Sequence, residues 1–362
     1  MVDAFVHDVP AARVIFANGA IATVGDELGR LGASRAFLVA GGPEGQFADR
    51  IAEDLGDRVV GRWSEVVMHV PVDVAARALS AAAQARADSL IAVGGGSSTG
   101  MAKAIAKETG LPILAVPTTY AGSEMTSIWG LTEGNRKTTG RDLRVLPKTV
   151  VYDPELTVSL PADISAASGM NAVAHLVEGL YAPGVSPISF LQAEEGIRAL
   201  AAGLPRVVDD PADLAARADA LYGAWLAGWT LGTTGMGVHH KVCHTLGGTY
   251  DLPHAPSHSA VIAYATEFNA QAAPEAMAAI VRALNAGGIP CTDPAQGIWD
   301  LATRIAAPTS LAPLGFTDDQ VEEAARIVAE ARPVNPRNVD ADGVAGLLRA
   351  AIAGQRPGRT PS

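Results

Sequence analysis

Ser89-Leu90-Ile91-Ala92-Val93-Gly94-Gly95-Gly96-Ser97-Ser98-Thr99-Gly100-Met101-Ala102-Lys103 carries an apolar, β-branched run straight into three glycines and then into a small-residue segment of helical period. This is a strand turning tightly into a helix. Glycine lets backbone approach a phosphate closely, and the free N–H groups at the helix start supply an anion site, with Ser97 and Ser98 as hydroxyl donors. The spacing is neither G-x-G-x-x-G nor a P-loop, since no Gly-Lys-Ser/Thr follows, so a tight turn without a ligand is the competing reading.

Outward from this turn, short β-branched runs alternate with Ala-rich helical windows through Tyr152, which predicts βαβ units and a parallel sheet. Strands are expected at 13–16, 36–40, 58–63, 89–93, 113–116 and 149–152, and helices at 24–31, 46–55, 72–86 and 99–109. Gly134-Asn135 between Thr-containing arms predicts a β-hairpin over 128–139. The strand at 113–116 runs into Pro117-Thr118-Thr119-Tyr120-Ala121-Gly122-Ser123-Glu124, a second polar loop at the carboxyl edge of the sheet, where open α/β sheets bind ligands. Two such loops favour a dinucleotide. The second strand ends in Ala40-Gly41-Gly42-Pro43-Glu44-Gly45, with no immediate Asp to repel a ribose 2′-phosphate, so the Gly41-Gly42 stretch is expected to leave room for one and both NADH and NADPH are expected to serve.

After Pro161, Pro and Gly punctuate long Ala/Leu-rich windows at 162–181, 188–204, 212–231, 274–284, 294–306 and 318–331. The expected architecture is a Rossmann-like α/β dinucleotide-binding domain over 1–157, an all-helical substrate and catalytic domain over 158–353, and a disordered tail over 354–362.

Composition narrows the class. Apolar types make up 48% of 362 residues, and Lys+Arg 27 against Asp+Glu 38 gives a net charge of −11, a field that repels nucleic acid and anionic membrane. Only Cys243 and Cys291 occur, which excludes a disulfide framework and suits a cytoplasmic location. The first 20 residues lack a signal-peptide pattern, and no window is apolar enough to span a membrane.

Six of the eight histidines fall between residues 175 and 258. Asn171 and His175, His240 and His244, and His254 and His258 are each four apart, so each pair shares a helix face. Such pairs build metal sites, and without carboxylates they also build proton-transfer sites.

With these residues in view, the sequence resembles the iron-containing alcohol dehydrogenase superfamily and, within it, the maleylacetate reductases, over residues 10–350. The superfamily's cofactor pattern of three glycines and Ser, then Asp, then Ala-Lys, is met by Gly94 to Lys103 with Gly100 in place of the Asp. Its Pro-Thr-Thr loop is Pro117-Thr118-Thr119, and the stretch from Tyr120 to Glu133 with Lys137 to Arg141 is the part most similar to maleylacetate reductases. The resemblance implies the dehydroquinate synthase-like fold of this superfamily and a homodimer. It also implies cofactor contacts from Gly94, Gly95, Gly96, Ser97, Ser98, Thr118, Thr119, Ser123, Ser127 and Lys148. Metal-binding members hold their ion with Asp and three His; those positions are Asn171, His175, His240 and His254 here. The lost carboxylate would leave a divalent ion among neutral groups, so a metal-free site is expected.

The implied reaction is NADH- or NADPH-dependent reduction of the carbon–carbon double bond of 2-maleylacetate to 3-oxoadipate, a step of aromatic-compound catabolism. Charge developing on the ketone oxygen needs fixed donors, and His175, His240, His244, His254 and Tyr120 are the candidates for that and for the final proton. Asn171, Lys241, Arg136 and His258 are candidates for binding the dicarboxylate. A metal-dependent alcohol or polyol dehydrogenase and a non-catalytic dinucleotide-binding protein are the rival readings.

Overall fold

A computed structural model describes residues 5, 7, 9, 12–134 and 136–358, excepting the side chains of Pro43, Arg136 and Lys137. The chain divides into two units, Val9–Leu160 and Pro161–Ser362, with Met1–Asp8 grouped with the second.

In the first unit the elements run β1 (Arg13–Phe16), α1 (Val24–Arg30), β2 (Ala36–Val39), α2 (Gly45–Leu55), β3 (Val59–Trp63), α3 (Val72–Gln84), β4 (Ser89–Gly94), α4 (Gly96–Thr109), β5 (Ile113–Pro117), β6 (Ile128–Glu133), β7 (Arg136–Arg141) and β8 (Thr149–Tyr152). Six strands form a parallel sheet in the order β1-β8-β5-β4-β2-β3, and β6 and β7 form the separate antiparallel hairpin. Strands β2, β4 and β5 are buried along their whole length, because helices cover both faces; that is why they read as unbroken apolar runs. Apolar layers around Leu38, Ile91 and Val116 on one face, and Phe37, Leu90 and Ile105 on the other, make the core. From β2 the chain continues to β3 on one side, and from β4 to β5 on the other, so the strand order reverses between β2 and β4. A crevice at such a reversal is where ligands sit in open α/β sheets.

The second unit is helical: α5 (Ala162–Gly179), α6 (Pro187–Asp209), α7 (Leu214–Thr233), α8 (Val238–Tyr250), α9 (His254–Asn269), α10 (Pro274–Ala286), α11 (Pro294–Arg304), α12 (Val321–Glu330) and α13 (Ala341–Ala353). Among the described residues it contains no strand. Helices α8, α9 and α13 lie outside the windows expected from sequence: α8 carries Gly247-Gly248, and α9 opens His254-Ala255-Pro256, which looks like a loop although Pro is tolerated in a first helical turn. Residues expected in a disordered tail are tied down as far as Gly358. Arg356 bonds Asp300 at 2.7 and 2.6 Å and Gln296 at 2.6 Å, and Gly358 N donates to Glu267 at 2.9 Å. The remainder, 359–362, lies outside the described residues. No helix among the described residues is long and apolar enough to cross a membrane.

Candidate active site

In the first unit, β4 ends at Gly94 with φ 134°, a conformation side chains rarely adopt, and a Cβ there would lie 2.5 Å from Ser98 Oγ. A Cβ on Gly95 would lie 2.9 Å from Thr119 Cγ2 and Oγ1. Gly96 then opens α4, three residues earlier than expected, with Ser97 half-buried and Ser98 buried in its first turn. Beside them Thr118 N donates to the Gly94 carbonyl at 3.3 Å, while Thr118 Oγ1 is buried without a hydrogen-bond partner. A cradle that a side chain would fill, the free N–H groups of a helix start and an orphaned hydroxyl together fit the diphosphate of a dinucleotide. Ser123 is half-buried and Ser127 buried in the following loop.

Two expectations need correction here, the cofactor contact of Lys148 and the room at Gly41. Lys148 precedes β8, and its N–H bonds Ile113 at the amino end of β5 (2.8 Å); the glycine turn is level with Pro117 at the carboxyl end, so the sheet puts Lys148 on the opposite edge. Gly100, in place of the superfamily's Asp, has Val70 Cγ2 3.0 Å from where a Cβ would sit, so buried Val70 occupies that space. The Gly41 position is not open either: a Cβ there would meet Val66 Cβ at 2.8 Å and the Ser64 carbonyl at 3.0 Å.

Lys103, one turn further along α4, is buried and directs Nζ at Ser123 O (2.7 Å), Thr126 O (2.7 Å), Thr126 Oγ1 (3.0 Å) and Ile128 O (2.8 Å). Burial lowers its pKa to about 7, whereas the four oxygens favour the ammonium. It pins the loop from Ser123 to Ile128. Nearby, Tyr152 donates to Glu124 Oε1 at 2.7 Å, and burial pushes the Glu124 carboxyl up. Tyr120 is fully buried in the same unit.

In the second unit, α5, α8 and α9 bring six imidazoles into one chain of ring contacts. His175 stacks on His240 with centroids 5.0 Å apart, His240 lies 4.7 Å from His258 and 6.0 Å from His244, His254 lies 4.3 Å from His258, and His244 lies 6.4 Å from His254. His175, His239, His240 and His258 are buried; His244 and His254 are exposed. His239 Nε2 and His258 Nδ1 share a hydrogen bond at 3.0 Å. Burial first, and neighbouring imidazoles second, hold the pKa of His175, His239 and His258 well below the ordinary value, so these rings are neutral at neutral pH.

Sequence reasoning missed the group that organises this cluster. Glu178, fully buried on α5, accepts from His239 N (2.8 Å), His240 N (3.3 Å) and His240 Nδ1 (2.6 Å). A carboxylate only accepts, so His240 carries its proton on Nδ1 and turns Nε2 to the cluster. Gly237 permits this, since a Cβ there would lie 3.0 Å from Glu178 Oε1 and 2.8 Å from Asn335 Oδ1, which caps Val238 N at 3.3 Å. The available signal was spacing: Glu178 follows His175 by three residues on the same face. His239, adjacent to His240, was also passed over.

Asn171 Oδ1, His175 Nδ1, His240 Nε2 and His258 Nε2 are buried without hydrogen-bond partners. Imidazole and amide donors suit a divalent transition metal, and ligand atoms of His239, His240 and His258 lie within 4.8 Å of one another. The donor set therefore fits a cation. The expectation that such an ion would find only neutral groups is corrected by Glu178, whose carboxylate lies directly behind His240. Lys241 is half-buried on α8 beside this cluster, and Arg136 opens β7 in the first unit with its side chain outside the described residues.

Two family models match, "Iron-containing alcohol dehydrogenase" over residues 11–154 and "Fe-containing alcohol dehydrogenase family, C-terminal" over 165–352. A maleylacetate reductase of Sphingobium indicum is 50% identical over 98% of this chain and 99% of its own length. The crystal structure of maleylacetate reductase from Rhizobium sp. strain MTP-10005 superposes with a TM-score of 0.92 at 42% identity, covering 98% of this chain and 99% of its own. That from Agrobacterium tumefaciens does so at 0.93 and 42%, covering 98% and 100%.

Proposed function

The chain belongs to the iron-containing alcohol dehydrogenase family and, within it, to the maleylacetate reductases, and from that premise we propose that it reduces the double bond of 2-maleylacetate to 3-oxoadipate. The observation that carries this reading is His240, with Nδ1 fixed by Glu178 and Nε2 buried and unpartnered. Bound NADH or NADPH would supply the hydride, and the Gly94–Ser98 turn and the Thr118–Ser127 loop are the residues that would hold it. Hydride added to the β carbon of the conjugated ketone moves an electron pair onto the ketone oxygen. His175 holds that oxygen with an N–H group, and His240, whose Nδ1–H is given to Glu178, donates from Nε2 only as the imidazolium and passes that proton to the α carbon as the ketone re-forms. Lys241 and Asn171 receive the substrate carboxylates. His258, tied to His239, supports the ring positions from behind.

A divalent cation held by the unpartnered atoms of Asn171, His175 and His240, with His254 as the fourth ligand that the family resemblance implies, would act as a Lewis acid at the same oxygen. We propose that turnover does not require it, because Asn171 withdraws the charge that the metal-holding members place there, while Glu178 leaves His240 able to carry the load. We also propose a homodimer in a reducing cytoplasm, the latter from the free thiols of Cys243 and Cys291. The test is NADH oxidation with maleylacetate, with and without chelator. Equal rates support the reading, no substrate-dependent oxidation overturns the activity, and loss restored by stoichiometric metal overturns the metal-free mechanism.

A further inference from the structure

The cofactor's identity is read from the crevice between β2 and β4. In parallel sheets of this type an acid at the end of the strand beside the glycine turn grips the ribose 2′-hydroxyl. Here the residue directly after Ala40 is Gly41, and Val66 and the Ser64 carbonyl close that position to any side chain. The chain then makes a short 3₁₀ turn, Gly42–Glu44, entered through Gly42 at φ 58°. The turn folds Glu44 back toward the glycine turn. Its Cγ lies 3.5 Å from where a Cβ on Gly94 would stand, and its Oε2 lies 3.5 Å from the corresponding point on Gly42.

We propose that Glu44, resting on the reading that a dinucleotide lies over Gly94–Ser98, replaces the missing acid, grips the ribose diol and makes this chain prefer NADH to NADPH. A half-buried carboxylate beside the diol accepts from the 2′-hydroxyl, and the same carboxylate repels a 2′-phosphate. The neighbouring guanidinium of Arg62, which would otherwise welcome that phosphate, is committed to the Asp49 carboxylate and to the Gly45 carbonyl at 3.1 Å. This adds a preference to the expectation that both cofactors serve.

Equilibrium titration of NADH and NADPH by fluorescence, without substrate, tests it on wild type, Glu44→Gln and Arg62→Ala, with thermal melting as a check on folding. Wild type should bind NADH at least about tenfold more tightly than NADPH. Glu44→Gln should narrow that gap, chiefly by tightening NADPH, with an unchanged melting temperature. Equal wild-type affinities, or a gap that persists in Glu44→Gln, overturn the proposal while leaving the dinucleotide reading intact. A preference for NADPH that disappears in Arg62→Ala overturns it in favour of a 2′-phosphate site. Failure of wild type to bind either nucleotide overturns the glycine-turn reading and the proposal with it.

Discussion

The α/β unit and the helical unit each bury a polar group that an ordinary core would not hold, and they treat it in opposite ways. Lys103 is met by four oxygens and Glu124 by the Tyr152 hydroxyl, so the network that shapes the Ser123–Ile128 loop is satisfied within the protein. In the helical unit Glu178 is satisfied, but Asn171 Oδ1 and nitrogens of His175, His240 and His258 are left without partners. Leaving a buried polar atom unpaired costs about 1–3 kcal/mol, so a row of them is a debt that a bound molecule discharges. Within these two networks saturation marks scaffold and the unpaired histidine nitrogens mark the place where a ligand completes the structure; orphaned atoms of Gln192, Trp225 and Trp299 in the same unit belong to neither.

The largest blow to that contrast falls on the scaffold side. Gly95→Val puts a branched side chain against Thr119, where even a Cβ would stand at 2.9 Å, and fills the phosphate cradle. NADH binding should be lost outright; wild-type affinity by fluorescence titration would remove the dinucleotide from this turn.

The next largest is His240→Ala. It removes the Nε2 acid that protonates the α carbon, so kcat should fall by about a hundredfold or more while NADH affinity is unchanged. Glu178→Gln keeps the shape but loses the charge that fixes Nδ1, and should give an intermediate loss together with a displaced pH–rate profile. A stability defect without a changed profile would reduce Glu178 to a helix cap for α8.

The scaffold was far more legible in the sequence than the site. Strands β2, β4 and β5 announce themselves because burial on both faces demands unbroken apolar runs, and Gly94 marks the turn because side chains rarely adopt its φ of 134°. The histidines were visible through their four-residue spacing. Glu178 was not, since a glutamate in a helix ordinarily faces water and only its burial beside His240 reveals its role. Glu44 and Val70 depend on backbone turns, at Gly42 (φ 58°) and at Val70 itself (φ 48°), that local residue preference does not encode. Lys148 is a different case: a residue preceding a parallel strand lies on the amino edge, and the resemblance outweighed that geometry.

Lys103→Met probes the saturated side more gently. Four oxygens lose their partner, and unfolding free energy should drop by about 1–3 kcal/mol, with weaker NADH binding as the loop from Ser123 to Ile128 loosens. The pH dependence has a definite sign. The folded pKa is about 7 against 10.5 for the ordinary lysine, so between these values the unfolded chain holds a proton that the folded chain has released. Stability from this group therefore rises with pH across that window, by at most about 1.4 kcal/mol per unit, and falls as pH drops back toward 7. Denaturant unfolding at several pH values should show this slope in wild type and not in Lys103→Met; identical slopes would mean that the ammonium persists throughout.

The smallest effect comes from the one place among the described residues of the α/β unit that breaks its own pattern. Thr118 Oγ1 is buried without a partner beside the glycine turn, in a neighbourhood where Lys103 and Glu124 are fully engaged. If the hydroxyl is kept for the dinucleotide, Thr118→Val, which preserves shape and removes only the polar atom, deletes one hydrogen bond to the bound cofactor and none within the protein. NADH affinity should fall by about three- to tenfold, the range of a single neutral hydrogen bond, while stability without cofactor stays level or rises slightly because an unpaired polar group has left the interior. A structural hydroxyl would give the reverse: lower stability and unchanged affinity. Measuring unfolding and NADH binding on the same variant separates the two, and it asks of a single atom whether an unsatisfied group in this fold is a ligand contact.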